Sequence, residues 1–359
     1  MFDIIEQAHL GELHFKSDPA SGLKAIIAIH NTKLGPALGG CRCIDYASDE
    51  DAIHDVIRLA RGMSYKSALA KVHQGGGKAV ILKPKEPFNR GALYNAFGRF
   101  VNELGGRYIT AIDSGTMLED LDEVGRVTPY VSGNLSDGLD PSPNTALGVL
   151  AGMKAAALQR YGSAKLKGLT VAIQGIGNVG FHLASLLYEE GAKLLVADLD
   201  EQKVNQARNA FHAEPLAPDQ FCSAHCHILA PCGLGGVINQ HSIQELNCDI
   251  IAGSANNQLA APELGQRLHD LGILYAPDYV INAGGLIQVS LGMSMAMGKG
   301  MGKGTAKHHA SQQAIANKTW GISETLYDIF SRSCVENLPP STVADLMAEE
   351  ILYETHGGA

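Results

Sequence analysis

One stretch constrains the fold of this 359-residue chain more than any other. Leu169-Thr170-Val171-Ala172-Ile173-Gln174 is an apolar, β-branched run followed at once by Gly175-Ile176-Gly177-Asn178-Val179-Gly180. A helical pattern then runs to Glu190, and a second apolar run, Lys193 to Ala197, ends in Asp198. A lone Gly-x-Gly-x-x-Gly is weak evidence. Strand, glycine turn, helix, strand and carboxylate in that order describe a βαβ unit that binds a dinucleotide. Gly175 permits the tight turn, and Gly177 lets the backbone of Ile176, Asn178 and Val179 approach a pyrophosphate. Gly180 lets helix pack on strand, and the helix N-terminus offers unpaired N–H groups to the anion. Asp198 stands where a carboxylate accepts hydrogen bonds from the adenosine ribose and repels a 2′-phosphate, which favours NAD over NADP. The bland alternative is an ordinary βαβ unit with a glycine turn and a surface aspartate.

The surroundings fit such a unit. From about Thr145, where a long apolar helix begins, to about Val289, strand and helix patterns alternate as in a doubly wound parallel sheet. Upstream the pattern is mixed. It predicts a strand over Leu23 to His30, a helix opened by Ser48 and Asp51 and running to Arg61, and a strand over Lys78 to Leu82. A helix from Ala92 to Leu104 and a strand from Tyr108 to Ala111 follow. Turn formers concentrate from Ser132 to Pro143, a domain boundary. The expected architecture is α/β in two domains. Residues 1–138 form a mixed α/β catalytic and oligomerisation domain, to which about 330–359 return with a C-terminal helix opened at Thr342 and Asp345. Residues 139–329 form a Rossmann-type doubly wound dinucleotide-binding domain. The Gly/Met/Lys tract from Leu291 to Gly304 carries so much glycine that a mobile loop is expected; an anion-binding lip of its lysines is the rival.

Composition removes several function classes. Only 18% of residues are charged and 45% are hydrophobic, which argues against long disordered tails. A net charge of −9 gives no electrostatic footprint for nucleic acid. The longest uncharged stretch, Tyr279 to Gly298, is too rich in glycine and polar residues to cross a membrane, so no membrane partner is expected. No basic residue precedes the apolar residues of the N-terminus, so a secretory signal is not expected and the compartment read from the sequence is the cytoplasm. Seven scattered cysteines then suit free thiols. Cys222, His225, Cys226, His227 and Cys232 fall close enough to raise a zinc site. His227 to Ala230 reads as a strand that throws neighbouring side chains to opposite faces, however, so no metal is expected.

Chemistry in the first half rests on three side chains. Gly75-Gly76-Gly77-Lys78 sets three glycines before a lysine and a strand, so the backbone can fold tightly and hold the amine near a ligand. Desolvated there, a lysine loses its proton more readily and becomes a usable base near neutral pH. Lys66 lies on a helical segment, where spacing alone favours a snorkelling surface lysine. Asp113 follows a strand end and could equally cap the next turn.

Longer segments carry a resemblance that decides between these readings. Ser21 to His30, Gly35 to Gly40, Arg61-Gly62-Met63-Ser64-Tyr65-Lys66, Gly75 to Lys78 and Arg107 to Ala111 are similar to the glutamate/leucine/phenylalanine/valine dehydrogenase family. So are Pro141-Ser142-Pro143, Gly175 to Gly180, Ala230-Pro231-Cys232, Ala252 to Gln258 and Tyr275 to Gly285. The resemblance implies reversible oxidative deamination of an L-amino acid with NAD, giving a 2-oxo acid and ammonium. It implies that Lys66 grips the substrate carboxylate with the backbone near Gly39 and Gly40. Lys78 acts on the amino group and its attacking water, and Asp113 is its proton-transfer partner. Thr145, Asn256 and Asn282 position the nicotinamide end, with Asn282 also counted among the substrate contacts, and Cys232 lies in a loop beside the nucleotide. Hydride would pass in a cleft between the domains. Leu38 and Ala111 match the side-chain pocket of members that take leucine, valine and isoleucine. The family also implies assembly of identical chains through the first domain. Two rivals remain at this stage: an aromatic substrate, phenylalanine above all, and a nucleotide-binding sensor without turnover. Ile112 and Ser114 beside the aspartate, Cys41 and Cys43 after the glycines, and Asp140 before Pro141 depart from the family pattern.

Overall fold

β-Branched residues dominate the first half where strands were expected, and there they pair into a sheet whose two faces are filled differently. The computed structural model describes residues 2–133, 140–297 and 305–354, of which 294–297 and 305–311 are described by backbone alone. Two units emerge, Met1–Leu139 with Ala348–Ala359, and Asp140–Met347.

In unit 1, α1 (Phe2–Gln7) precedes three strands, β1 (Glu12–Asp18), β2 (Leu23–Asn31) and β3 (Ala37–Ile44). Then come α2 (Asp49–Leu69), β4 (Gly75–Leu82), α3 (Arg90–Glu103), β5 (Tyr108–Ile112) and α4 (Leu118–Gly125). The sheet order is β1-β2-β4-β3-β5. β1, β2 and β4 pair antiparallel, whereas β3 runs parallel to both β4 and β5. Strand alternation sends Ile27, Ile29, Cys41, Cys43 and Ile81 to one face, where they pack with Tyr94 and Phe97 of α3. Ile26, Ala28 and Val80 point the other way and pack with Ala52, Ile53 and Val56 of α2. The Ser48 hydroxyl caps α2 by accepting from the Asp51 N–H at 3.1 Å. The helix continues to Leu69, past the Arg61 end expected, because Ser64, Tyr65, Ala68 and Leu69 are buried and extend its apolar face.

The glycines of Gly75 to Gly77 are part of β4, not a turn before it. A Cβ on Gly76 would overlap the backbone and hydroxyl of Ser64 in α2, so glycine here allows helix and strand to touch.

Unit 2 opens with α5 (Ser142–Tyr161), β6 (Thr170–Gln174), α6 (Asn178–Glu189), β7 (Lys193–Ala197), α7 (Glu201–Phe211) and β8 (Glu214–Pro215). β9 (Ile228–Pro231), β10 (Ile250–Ile251), α8 (Leu264–Asp270), β11 (Leu274–Tyr275) and α9 (Asp278–Ile281) follow. The last helices are α10 (Gly284–Met297), α11 (Thr305–Glu336) and α12 (Pro340–Tyr353). The sheet is parallel throughout, in the order β11-β10-β9-β6-β7-β8, the doubly wound arrangement. Its order reverses beside β6, which puts the loop after β6 at the switch point where such sheets bind ligands.

Two expectations need correction. Leu291 to Met297 are helical, because α10 packs against α5 and α11 and tertiary contact outweighs poor propensity; residues 298–304 lie outside the described residues. Residues 330–347, expected with unit 1, fall in unit 2, because α11 packs along α5 and the Tyr279 hydroxyl of α9 donates to Asp345 of α12. The chain therefore re-enters unit 1 only within α12. There the Tyr65 hydroxyl donates to Glu349 at 2.6 Å, and Tyr353 meets His30 Nε2 at 3.1 Å. Lys33 Nζ donates to the carbonyls of Ile351 at 2.9 Å and Glu354 at 2.8 Å, closing the helix end. Among the described residues no helix is long and apolar enough to cross a membrane.

Candidate active site

In unit 1 the parallel register of β3, β4 and β5 gathers the residues singled out in the sequence. Leu38 pairs with Gly76 on one side and Ile109 on the other, and Gly40 pairs with Ala111. Asp113 follows directly after β5. A Cβ on Gly40 would stand 2.8 Å from the Asp113 Cβ, so the strand can carry only glycine where the aspartate folds over it. Gly39 is equally confined, against the Gly77 carbonyl, and its own carbonyl accepts from the Tyr108 hydroxyl at 2.7 Å.

Lys78 of β4 reaches Asp113 directly. The ammonium donates to Asp113 Oδ2, and the lysine is only 6% exposed. Burial pushes the Asp113 carboxyl up. The Lys78 cation and its hydrogen bond, the Ser114 N–H and Arg42 outweigh that, holding the group below the usual carboxylate range. Lys66 sits half-buried on α2, two residues after Ser64, which packs on Gly76. Leu38, which is buried, and Ala111, which is half-buried, lie on the same sheet face by the register of β3 and β5. Arg42, not foreseen as part of the site, joins them, because strand alternation between the buried Cys41 and Cys43 turns it to this face.

In unit 2 the site is made of backbone. Gly175 has φ +89°, and its N–H donates to the Ala197 carbonyl at 2.8 Å, locking the turn onto β7. A Cβ on Gly180 would overlap the Gly175 carbonyl, whereas one on Gly177 would meet nothing within 4 Å. Gly177 thus leaves open space in front of α6, whose N-cap brings no side chain to its first N–H groups. That is a cradle of the kind a pyrophosphate fills. Asp198 accepts from the N–H groups of Ile176 at 2.7 Å and Asp200 at 2.9 Å, which fix its carboxylate at the end of β7. Asn178 and Val179 begin the helix.

The remaining unit 2 residues extend from this loop. Cys232 donates its N–H to the Gln174 carbonyl at 2.7 Å, and its thiol, pushed up by burial, hydrogen-bonds Ser254. Asn282 Nδ2 donates to the Ser254 carbonyl at 3.1 Å and to Asn256 Oδ1 at 2.7 Å. Thr145 Oγ1 donates to the Pro141 carbonyl at 3.0 Å, where Gly285 leaves it room. Asn282 and Asn256 are thus tied to each other directly. Among the described residues no group of three or more His, Cys, Asp or Glu could hold a metal ion. His227 Nδ1 accepts from the Thr170 N–H at 3.0 Å, and burial pushes the Cys226 thiol up to about 12.

Residues 9–128 match the family model described as Glu/Leu/Phe/Val dehydrogenase, dimerisation domain. Residues 139–202 and 193–301 match the one described as Glutamate/Leucine/Phenylalanine/Valine dehydrogenase. The leucine dehydrogenase of Geobacillus stearothermophilus is 44% identical, covering 98% of this chain and 92% of its own length. A valine dehydrogenase of Streptomyces virginiae is 42% identical, with 93% and 91% covered. Among solved structures, the L-tryptophan dehydrogenase of Nostoc punctiforme superposes with a TM-score of 0.85 at 38% identity, over 98% of each chain.

Proposed function

The chain belongs to the Glu/Leu/Phe/Val dehydrogenase family, and on that premise we propose that it oxidises branched aliphatic L-amino acids, leucine first, with NAD. It is an amino-acid dehydrogenase, and its Rossmann-type unit implies a nicotinamide cofactor. The observation that carries the reading is the buried Lys78–Asp113 pair, for which Gly40 leaves room on β3.

The reaction removes the Cα hydrogen with its electron pair and a proton from nitrogen, leaving an iminium. Water adds to that carbon, loses a proton, and ammonia departs as the carbonyl forms. Nicotinamide, when bound, accepts the hydride. The chain's own groups do the rest. Lys66 pairs with the substrate carboxylate, assisted by the backbone at Gly39 and Gly40. Lys78 takes the proton of the attacking water, and Asp113 exchanges protons with Lys78 and the substrate nitrogen. Thr145, Asn256 and Asn282 orient the nicotinamide end; Gly175 to Gly180 hold the pyrophosphate, and Cys232 lies beside it. The Asp198 carboxylate accepts from the ribose and repels a 2′-phosphate, which supports NAD.

Leu38 and Ala111 support an aliphatic pocket, in which one methylene is worth about 1–3 kcal/mol of discrimination. Identical chains assemble through unit 1, whose edge strand β1 leaves Phe15 exposed. The cytoplasm is the compartment this chemistry and seven free thiols suit.

The test is formation of reduced nicotinamide with NAD and a panel of aliphatic and aromatic L-amino acids, beside NADP as competitor cofactor. The expected result is the highest kcat/KM with leucine, valine or isoleucine and NAD. A tenfold preference for an aromatic substrate, or nucleotide binding without turnover, overturns the reading.

A further inference from the structure

Asp113 has a second cation beside it that the reaction scheme does not use. Cys41 pairs with Ile112, so Arg42 stands beside Asp113 in register, with Arg42 Nε 3.6 Å from Asp113 Oδ1. The other end of the guanidinium donates to Asp55 of α2 at 2.8 Å, and that same Asp55 oxygen accepts from the Tyr46 hydroxyl at 2.8 Å. Arg42 Nε is buried and makes no hydrogen bond among the described residues, so the group nearest Asp113 is held for its charge rather than for a closed bond. The planar fork explains the choice of arginine. One guanidinium can serve two carboxylates at once, and it keeps its charge at every pH the enzyme meets.

We propose that Arg42 is a positioning residue that returns Asp113 to the carboxylate form between proton transfers, whichever charge Lys78 carries. This rests on the reading of Lys78 and Asp113 as the proton-transfer pair. With Lys78 as sole partner, a buried Asp113 would lose its counter-charge each time the lysine gave up its proton, and the unpaired carboxylate would resist that release. The fixed cation removes that coupling, so proton release leaves a neutral amine beside a carboxylate.

The other groups facing the pair are accounted for. Cys41 on β3 and Tyr108 on β5 are fully buried, and burial pushes both well up, so they stay neutral. From α2, Asp55 faces Arg42, Arg58 in turn pairs with Asp55 at 2.9 Å, and Lys66 adds a cation of its own helix.

The experiment is the pH profile of kcat/KM for L-leucine oxidation by the full chain with NAD, comparing Arg42→Gln, Arg42→Lys and Asp55→Asn with the parent. Loss of the cation lets the pair hold its proton more tightly. In Arg42→Gln the limb that rises with proton release therefore moves up by about one pH unit. Its activity deficit is then about tenfold at neutral pH and shrinks as pH rises. Arg42→Lys restores most of the limb position. Asp55→Asn, which strips Arg42 of its counter-charge, moves the limb the other way. A uniform loss with the limb unmoved makes Arg42 merely structural and overturns the proposal, as does an unchanged profile. If Arg42→Gln does not fold, Asp55→Asn decides alone: a downward shift supports the proposal and a fixed limb overturns it. Lys78→Ala and Asp113→Asn run in the same assay separate the two ideas. Parent-like rates in either sink the site reading itself, whereas inactive controls beside a fixed Arg42→Gln limb sink only the role of Arg42.

Discussion

Glycine clears the way in both units, but for opposite purposes. In unit 1, Gly39, Gly40 and Gly76 sit inside strands, and what their missing side chains admit is other protein: the Gly77 carbonyl, Asp113 and the Ser64 backbone. The result brings charged side chains into contact where water is scarce. In unit 2, Gly175 and Gly180 likewise meet protein, but Gly177 faces nothing, and the group it exposes is a row of helix N–H donors. One unit presents side-chain charge, the other backbone dipoles. A glycine is therefore not itself the sign of a ligand; what a Cβ would touch decides.

The largest expected effect breaks the two apart. Lys78→Ala lowers kcat by about 10³-fold, roughly 4 kcal/mol of barrier, while nucleotide binding measured by fluorescence of the reduced cofactor stays unchanged. Equal loss of both would mean that the charge cluster also builds the nucleotide cradle.

Stability should differ in its pH response as well. Burial of His30 in unit 1 lowers its pKa to about 4, with Arg61 and His9 adding to the effect against the hydrogen bond to Ala8. The unfolded chain titrates this group near the ordinary value of 6.5, so between the two values it binds more protons than the folded one. Stability is therefore complete above that window and falls as pH drops through it, by about 3 kcal/mol once titration is finished. Hydrogen exchange at mildly acidic pH is expected to show β2 and the end of α12 opening before β6 and β7, and His30→Gln should flatten the slope. Uniform opening of both sheets would assign the pH response elsewhere.

A matched pair of substitutions then sharpens the point about glycine. Gly76→Ala drives a methyl into Ser64 and should cost about 2 kcal/mol in urea unfolding. Gly177→Ala meets no protein atom and should change stability by about 0.5 kcal/mol or less. Nucleotide affinity in that variant should nevertheless fall by about tenfold. Unchanged affinity would remove Gly177 from the pyrophosphate site.

What could be read beforehand follows the same division. The βαβ unit of unit 2 was legible because its parts are consecutive in the chain: β6, Gly175 to Gly180, α6, β7 and Asp198 lie within thirty residues. Ser48 and Asp51 announced the start of α2 for the same local reason. Unit 1 needed non-local register. Nothing around Lys78 shows that β4 inserts between β2 and β3, and without that order neither the strand role of Gly75 to Gly77 nor the approach of Arg42 to Asp113 can be foreseen. The family resemblance supplied Lys66, Lys78 and Asp113 as a set, but not the neighbour that balances their charge. The length of α11 and the helical start of the Gly/Met/Lys tract escaped because packing against α5, not propensity, holds them.

The late return of the chain to unit 1 also sets an order of birth. Translation delivers Lys33, His30 and Tyr65 hundreds of residues before Glu349, Tyr353 and Glu354, the groups they finally bind. All of residues 140–347 are made in the interval, so the nucleotide unit can be finished while the first unit still waits for its last helix. Unit 1 is begun before unit 2 and sealed after it, and a ribosome that stalls before residue 348 leaves the charge cluster's own unit open at the seam.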